Sequence, residues 1–300
     1  MAGRRSNPTY EKLRTRLTNR FRRCTIIRAM ILRGISFIPT HRSTDIAILA
    51  KRAEGLGFDS IWVPEQHTLP VKVEKPVPRL WGDIVDPLIA LARASAATTT
   101  LKLGTAVVVV PARNPITLAK EVGTLDMYSG GRVLLGIGVG GMREEAEILG
   151  VDFDHRWTQG REVVAALKEL WTKNESEYHG KYYGFPAVYS FPKPAATPYP
   201  PIILGSKAPN VFKRIAKWGD GWLPLEVTTE EVVHGRSELD RLAELNGRDP
   251  NEIEISVMGV PADPESIERY AEAGADRVVL GVEGEENDIA TMEEIAEKVM

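Results

Sequence analysis

Between residues 32 and 299, short apolar runs alternate with amphipathic helical stretches, and the alternation repeats eight times. Strands separated by helices pair in parallel, and a parallel sheet must be covered by those helices. The first unit shows the pattern. LRGISFI (32–38) is an apolar strand. STDIAILAKRAEGLG (43–57) places Ile46, Leu49, Ala50 and Ala53 on one helical face, with Ser43 or Thr44 as cap and Gly57 as stop. FDSIWVP (58–64) is a second strand, and a long loop over 65–85 leads to a helix (86–98) that opens on Asp86-Pro87. LKLGTAVVVV (101–110) runs apolar without interruption, as expected of a strand buried on both faces. Asn114-Pro115 starts the next helix, Gly130-Gly131 ends it, and RVLLGIGV (132–139) follows.

A short extra helix (143–150) and a helix over 158–172 come next. Residues 174–201 then break the rhythm with Tyr, Phe and Pro and read as an excursion, a loop with room for a hairpin. Strands at 201–205, 220–225, 252–260 and 275–282 complete the series, with helices at 208–219, 228–247, 263–274 and 287–299. Eight units in about 270 residues predict an α/β fold, a (β/α)8 TIM barrel with an excursion loop after the fourth helix. A doubly wound open sheet is the competing arrangement.

Charge divides the chain near residue 30. Residues 1–29 carry nine bases against one acid, a balance of +8, which leaves −11 for the rest of a chain whose total is −3. This basic N-terminal extension has three readings: an arm for nucleic acid or an anionic surface, an amphipathic targeting sequence, or a segment outside the native fold, with Met30 as the real start. The third is the expectation. The extension is disordered or outside the fold, residues 30–300 form the barrel, and nucleic acid is not a partner.

One cysteine, Cys24, excludes an internal disulfide and a CxxC metal site. No apolar run reaches ~18 residues, so no membrane span is expected. No apolar segment of ~7–15 residues follows the basic start, so no secretory signal is expected and the default localisation is cytoplasmic. There is no HExxH and no Gly-x-Ser-x-Gly. With neither metal set nor nucleophile in view, an organic cofactor is expected to carry the chemistry.

A barrel's active site lies at the C-terminal ends of its strands. The first strand brings Thr40 and His41 to the rim. The second ends in WVPEQH, which gathers Glu65, Gln66 and His67, and the loop beyond adds Trp81 and Asp83. A solvated loop histidine is the plain alternative for His67. The small residues after Gly104 suit either a ring lying on the backbone or tight barrel packing. GIGVGG (136–141) matches the spacing of a dinucleotide fingerprint, but a barrel is the wrong setting; its glycines leave backbone N–H groups open to approach. Gly205, Ser206 and Lys207 stand before a helix start and suit a phosphate, or else a capped helix with a solvated lysine. The adjacent acids Glu144 and Glu145 read as surface.

LAKRAEGLGFDSIWVPEQH, LKLGTAVVVVPARNPITLAKEVGTLDMYSGGRVLLGIGVGGMREEAEILGVDF and PPIILGSKAPNVFKRIAKWGDGWLP resemble the bacterial luciferase-like family over about residues 30–282. That family comprises flavin-dependent monooxygenases and coenzyme F420-dependent oxidoreductases, and this chain is most similar to the F420-dependent branch. The resemblance implies a deazaflavin or flavin across the barrel mouth with its ring over the third strand. It also implies a non-prolyl cis peptide joining Ala106 and Val107. Asn114, Val139 and Gly140 would touch ring or ribityl chain, flanked by Gly138 and Gly141, and Gly205, Ser206 and Lys207 would hold the phosphate.

Two departures stand out: Gln66 occupies a position where relatives often have His, with His67 one place later, and Gly141 replaces an acid found in some F420 enzymes. Glu65, Gln66 and His67 are expected to donate a proton or polarise the substrate. The 65–85 loop and the 174–201 excursion are expected to exclude water as lids over an apolar pocket with Trp81 and Tyr189. The implied function is hydride transfer between F420 and a small organic substrate. The alternatives are an FMN-dependent monooxygenase fed by a separate reductase and a non-catalytic cofactor-binding protein. Reduced F420 does not readily activate oxygen, whereas reduced FMN does. Many relatives are homodimers, and this chain is expected to be one.

Overall fold

The structure is a computed structural model that describes residues 31–282 and 287–300. The basic extension therefore lies outside the described residues. From Leu32 the chain alternates as its apolar pattern dictates: β1 (Leu32–Phe37), α1 (Ile46–Leu56), β2 (Ser60–Val63), α2 (Pro87–Ala97), β3 (Lys102–Thr105), β4 (Val108–Val109), α3 (Pro115–Ser129), β5 (Val133–Gly138), α4 (Arg143–Ile148) and α5 (Arg156–Thr172). Then follow β6 (Glu175–His179), β7 (Gly184–Tyr189), β8 (Ile202–Leu204), α6 (Val211–Trp218), β9 (Gly221–Trp222), α7 (Thr229–Leu245), β10 (Glu254–Met258), α8 (Pro264–Ala273), β11 (Arg277–Val282) and α9 (Asp288–Val299).

All strands except β6 and β7 pair in parallel in the order β3-β2-β1-β11-β10-β9-β8-β5-β4, and a further β3–β5 pairing closes the ring. This is the (β/α)8 barrel. The apolar run 101–110 is not one strand: it is split into β3 and β4, which both pair with β5. Gly104 lies opposite Leu134, but Val108 lies opposite Ile137, so β3–β4 takes four steps where β5 takes three. The extra residue falls at Ala106–Val107, whose peptide bond is cis. Uniform apolarity hides such a break, because period alone marks no interruption among Ala and Val.

Local caps explain most helix boundaries. Asp86 and Asn114 each accept two backbone N–H groups ahead of a proline at the first helical position. At α1 the cap is neither Ser43 nor Thr44 but Asp45, whose carboxylate takes the Ala47 N–H, while Ser43 is turned back onto Thr40. The barrel interior is plugged by Trp62 on β2, fully buried with Leu134, Ile203, Leu223 and Val279 around it. Gly104 on β3 makes room for it, since a Cβ there would fall 2.3 Å from the indole ring. Ala106, Val107 and Met258 lie on this plug and are only partly buried.

The excursion is an antiparallel hairpin of β6 and β7. It does not cover the mouth. Buried Asp126 accepts the Ala196 N–H at 2.8 Å and Lys193 donates to the carbonyls of Leu170 and Lys173, so the segment is pinned along α3 and α5 on the flank. Only its tip reaches the rim. Buried Glu162 gathers the N–H groups of Lys181, Tyr182 and Tyr183, and the Tyr183 hydroxyl donates to the Pro111 carbonyl at 3.1 Å. Tyr189 pairs across the hairpin with Glu175, beside the last turn of α5 and far from the C-terminal strand ends, and is 74% exposed. It lines no mouth pocket.

Candidate functional site at the barrel mouth

Glu65, Gln66 and His67 come together just past β2. The Glu65 side chain is 2% exposed and both its oxygens are engaged. Oε2 accepts the Val109 N–H at 2.6 Å, which fixes the chain just after the Ala106–Val107 step, and Oε1 accepts from Arg113 Nε at 2.8 Å. The same guanidinium meets Asp86 at 2.5 Å and Glu121 at 3.3 Å. Burial works against the Asp86 carboxylate, but the Ile89 N–H, Arg113 and the Leu88 N–H outweigh it and hold its pKa below the usual range. Burial, with the charges of Asp86 and Glu65 behind it, pushes the Glu121 carboxyl up despite Arg113.

His67 Nε2 lies 3.7 Å from Glu65 Oε1, with the ring 22% exposed. Gln66 Nε2 donates to the Thr68 carbonyl at 2.9 Å. What holds this loop is α4. Glu145 is buried and its Oε1 accepts the N–H groups of His67 and Thr68 at 3.0 and 3.2 Å, while Glu144 accepts the Glu74 N–H at 2.6 Å. The expectation that these acids are surface groups holds for Glu144 and is corrected for Glu145, which is buried. They bind backbone donors of a loop seventy residues away in sequence, a pairing that local periodicity does not show.

Ala106, Val107 and Val109 are half-buried while Leu103, Gly104, Thr105, Val108 and Val110 around them are enclosed, so they form an apolar ledge at the strand ends. Gly138 and Gly205 flank it. A Cβ on Gly205 would meet Val107 Cγ1 at 2.4 Å, and one on Gly138 would meet Val107 Cγ2 at 2.5 Å. Each Val107 methyl thus occupies a notch that only glycine leaves. Val139 is buried behind the ledge, Gly140 adopts φ +78°, and beside Gly141 there is open space.

Asn114 spends its side-chain oxygen on capping α3 and lines a cavity of about 330 Å³ at the rim with Arg113, Gln159, Tyr182 and Tyr183. A larger groove of about 710 Å³ runs between α2 and α3 outside the barrel, with Asp86 and Glu121 at its mouth end. Gly205, Ser206 and Lys207 lie where β8 leaves the barrel, but α6 starts at Val211 rather than 208, so they precede it by a loop. Ser206 Oγ accepts the Ala208 N–H at 3.0 Å, its carbonyl accepts Trp222 Nε1 at 2.8 Å, and Lys207 is exposed with Nζ 3.4 Å from the Glu226 carbonyl. Sequence reasoning passed over Arg113 and Glu145. Arg113 carried one signal, its place directly before the Asn114-Pro115 helix start at a strand end.

These features define a luciferase-like barrel, and the chain belongs to that family: the luciferase-like monooxygenase model matches residues 33–295. An uncharacterized protein of Mycobacterium tuberculosis is 34% identical over 283 residues, covering 89% of this chain and 98% of that one. The oxygenase component of flavin-dependent trigonelline monooxygenase from Acinetobacter baylyi is 32% identical over 189 residues, 61% of this chain and 49% of its own. The F420-dependent glucose-6-phosphate dehydrogenase of Amycolatopsis mediterranei is 28% identical over 209 residues, 67% of this chain and 60% of its own. Among solved structures, the coenzyme F420 dependent tetrahydromethanopterin reductase of Methanopyrus kandleri shares the fold with a TM-score of 0.75 at 18% identity, over 90% of this chain and 99% of that one. Among the described residues no helix is long and apolar enough to cross a membrane, and no cluster of His, Cys, Asp or Glu is placed to hold a metal ion.

Proposed function

We propose that this protein is an oxidoreductase that transfers a hydride between coenzyme F420 and a small organic substrate. The carrying observation is the half-buried Ala106–Val107 ledge on the Trp62 plug, an apolar seat between a polar edge at Gln66–His67 and a basic one at Lys207. When bound, the coenzyme would supply the hydride chemistry. Ala106 and Val107 would support its ring, with Asn114, Gly138, Val139, Gly140 and Gly141 alongside. Gly205, Ser206 and Lys207 would take its phosphate. His67 would hold or give a proton at Nε2 to the reacting substrate, and Gln66 would offer its remaining amide hydrogen. Glu65 acts through Val109 and Arg113 and beside the imidazole, so it positions the site rather than exchanging protons with substrate.

The trigonelline monooxygenase relative supports a second reading, an FMN-dependent monooxygenase supplied by a separate reductase. Titration of the protein with F420 and with FMN separates the two. The proposal expects F420 to bind at least about tenfold tighter, a difference of ~1.4 kcal/mol; tighter FMN binding would overturn it. With F420 bound and a substrate found by screening, His67→Ala should lower turnover by ~10²-fold at unchanged coenzyme affinity. Turnover equal to that of the parent removes His67 from the mechanism, and a bound coenzyme with no substrate reduced in a broad screen favours a binding protein without catalysis.

A further inference from the structure

Two inward-facing hydroxyls near the bottom of the barrel are fully engaged. Ser60 Oγ accepts from Trp62 Nε1 at 2.9 Å and donates to Asp59, and Ser256 Oγ lies between Glu254 and Arg277. Ser36 on β1 differs. It is half-buried, and its hydroxyl has no hydrogen-bond partner among the described residues.

Strand register places Ser36 above the Trp62 plug. Side chains two apart on a strand share a face. A Cβ on Gly34 would fall 2.4 Å from Ser60 Oγ and 3.0 Å from Trp62 Nε1, so Gly34 faces the interior and the indole lies over it. Ser36 is therefore the next inward residue toward the mouth, and it pairs with Gly281 of β11. Val279 packs on the plug, so Gly281 is likewise the next inward position, and it is exposed. A Cβ there would meet nothing nearer than Ser36 Oγ, at 3.9 Å. Met258, half-buried on the plug, pairs with Val279, and Leu225, bridged to Met258, is 53% exposed. Ser36, Gly281, Met258 and Leu225 thus make a second floor at the mouth, on the side of β9, β10, β11 and β1, across from the Ala106–Val107 ledge. It is apolar apart from one open hydroxyl. Of the nearby ionisable groups, Arg277 lies below the plug, bound by Asp59 and Glu254, and Glu226 lies against Gly259 beyond the end of β10.

We propose that Ser36 is a specificity-determining residue and that this floor takes the substrate, a largely apolar molecule with one hydroxyl or carbonyl oxygen that accepts a hydrogen bond from Ser36. This deepens the reading above and rests on it for the reaction, with the coenzyme ring on the ledge and the substrate beside it. Leu225 and Met258 supply apolar surface to cover, the missing side chain at Gly281 leaves the room, and a single polar group on an apolar wall fixes orientation.

The test needs neither coenzyme nor a known substrate. Benzyl alcohol and ethylbenzene, which share a shape with and without the hydroxyl, are titrated against the full chain, and dissociation constants are read by ligand-observed NMR. Ser36→Ala should weaken benzyl alcohol by about fivefold, the worth of one net hydrogen bond, and leave ethylbenzene unchanged. Gly281→Leu, which fills the floor, should abolish binding of both. Gly281→Ala guards against a folding defect: its methyl group meets only ordinary contact, so the thermal midpoint should match the parent while both probes bind more weakly. The proposal is overturned if neither probe binds the parent, if both Gly281 variants bind as the parent does, or if Ser36→Ala weakens both probes equally. If the probes respond as expected while neither F420 nor FMN binds, the coenzyme reading fails and the floor stands. If a coenzyme binds while the probes ignore Ser36 and Gly281, the floor fails and the coenzyme reading stands.

Discussion

On the β2–β3 side of the mouth, Arg113 meets Glu65, Asp86 and Glu121. On the β5–β8 side, Arg214 is stacked on the Trp157 ring and forms no ion pair among the described residues, and Lys207 Nζ lies 3.4 Å from the Glu226 carbonyl. Both arginines are half enclosed, yet one is saturated and the other rests on a ring. The saturated side is framework: both oxygens of Glu65 are engaged, and they hold Val109 and, through it, the turn after the ledge. The other side answers its arginine with an aromatic face rather than an acid. Charge at a barrel mouth is therefore no guide to function by itself; what distinguishes the two sides is the kind of group that answers the charge.

The sharpest way to break this contrast is Glu65→Gln. It leaves the enclosed Arg113 short of a partner and should cost about 3 kcal/mol in urea unfolding, in the range for breaking a buried pair. Binding of inorganic phosphate at the proposed Gly205–Lys207 site should stay within about twofold, because that side is untouched and distant sites act independently. A loss of phosphate binding larger than the loss of stability would show that the two sides are one network.

Next in size is the ledge. Gly205→Ala drives a methyl group into Val107 and should cost about 2 kcal/mol by overpacking. Adding Val107→Ala should recover most of that loss, because the notch is then empty. A double variant no more stable than Gly205→Ala would mean that the glycine serves something other than the Val107 side chain.

The smallest effect is expected at Glu54, a saturated carboxylate at the other end of the barrel. Its Oε1 accepts the N–H groups of Thr99, Thr100 and Leu101 and the Thr100 hydroxyl. Burial opposes its ionisation, but these donors prevail and bring its pKa from 4.5 to about 2. A folded pKa below the unfolded one stabilises above the unfolded value and ceases to do so as pH falls through the folded value. Glu54→Gln should thus cost about 1 kcal/mol at pH 7. The gap from the parent should shrink as pH falls from 4.5 toward 2, without any effect on ligand binding. A gap that is constant across this window would show that the ionised carboxylate is not what holds 99–101.

The barrel was readable because its signals are local: apolar period, Asp86-Pro87 and Asn114-Pro115 at helix starts, and glycine at helix ends. Where several local signals compete, the reading drifts. Ser43, Thr44 and Asp45 are all good caps, and only the phase of the following helix selects Asp45. Where the signal is long-range, it is absent. Nothing near Glu145 says that it will bind the backbone at His67, and nothing near Arg214 says that it will lie on Trp157. Gly205 and Lys207 were legible as a candidate phosphate site from residue type alone. That Gly205 also seats a Val107 methyl is a property of two strand ends meeting in space. Tyr189 misled because its aromatic character says nothing of which end of a hairpin it occupies.

The two acids of α4 fasten the loop after β2 only as far as Glu74. Beyond that, Lys75 and Pro76 stand exposed before the chain is gathered again in a short turn at Arg79–Asp83. Insertion tolerance follows hydrogen bonding and burial of the backbone rather than position. The stretch between these anchors is accordingly where a descendant of this barrel can lengthen its loop. Such a graft would alter what the mouth admits while His67 and the ledge stay where they are.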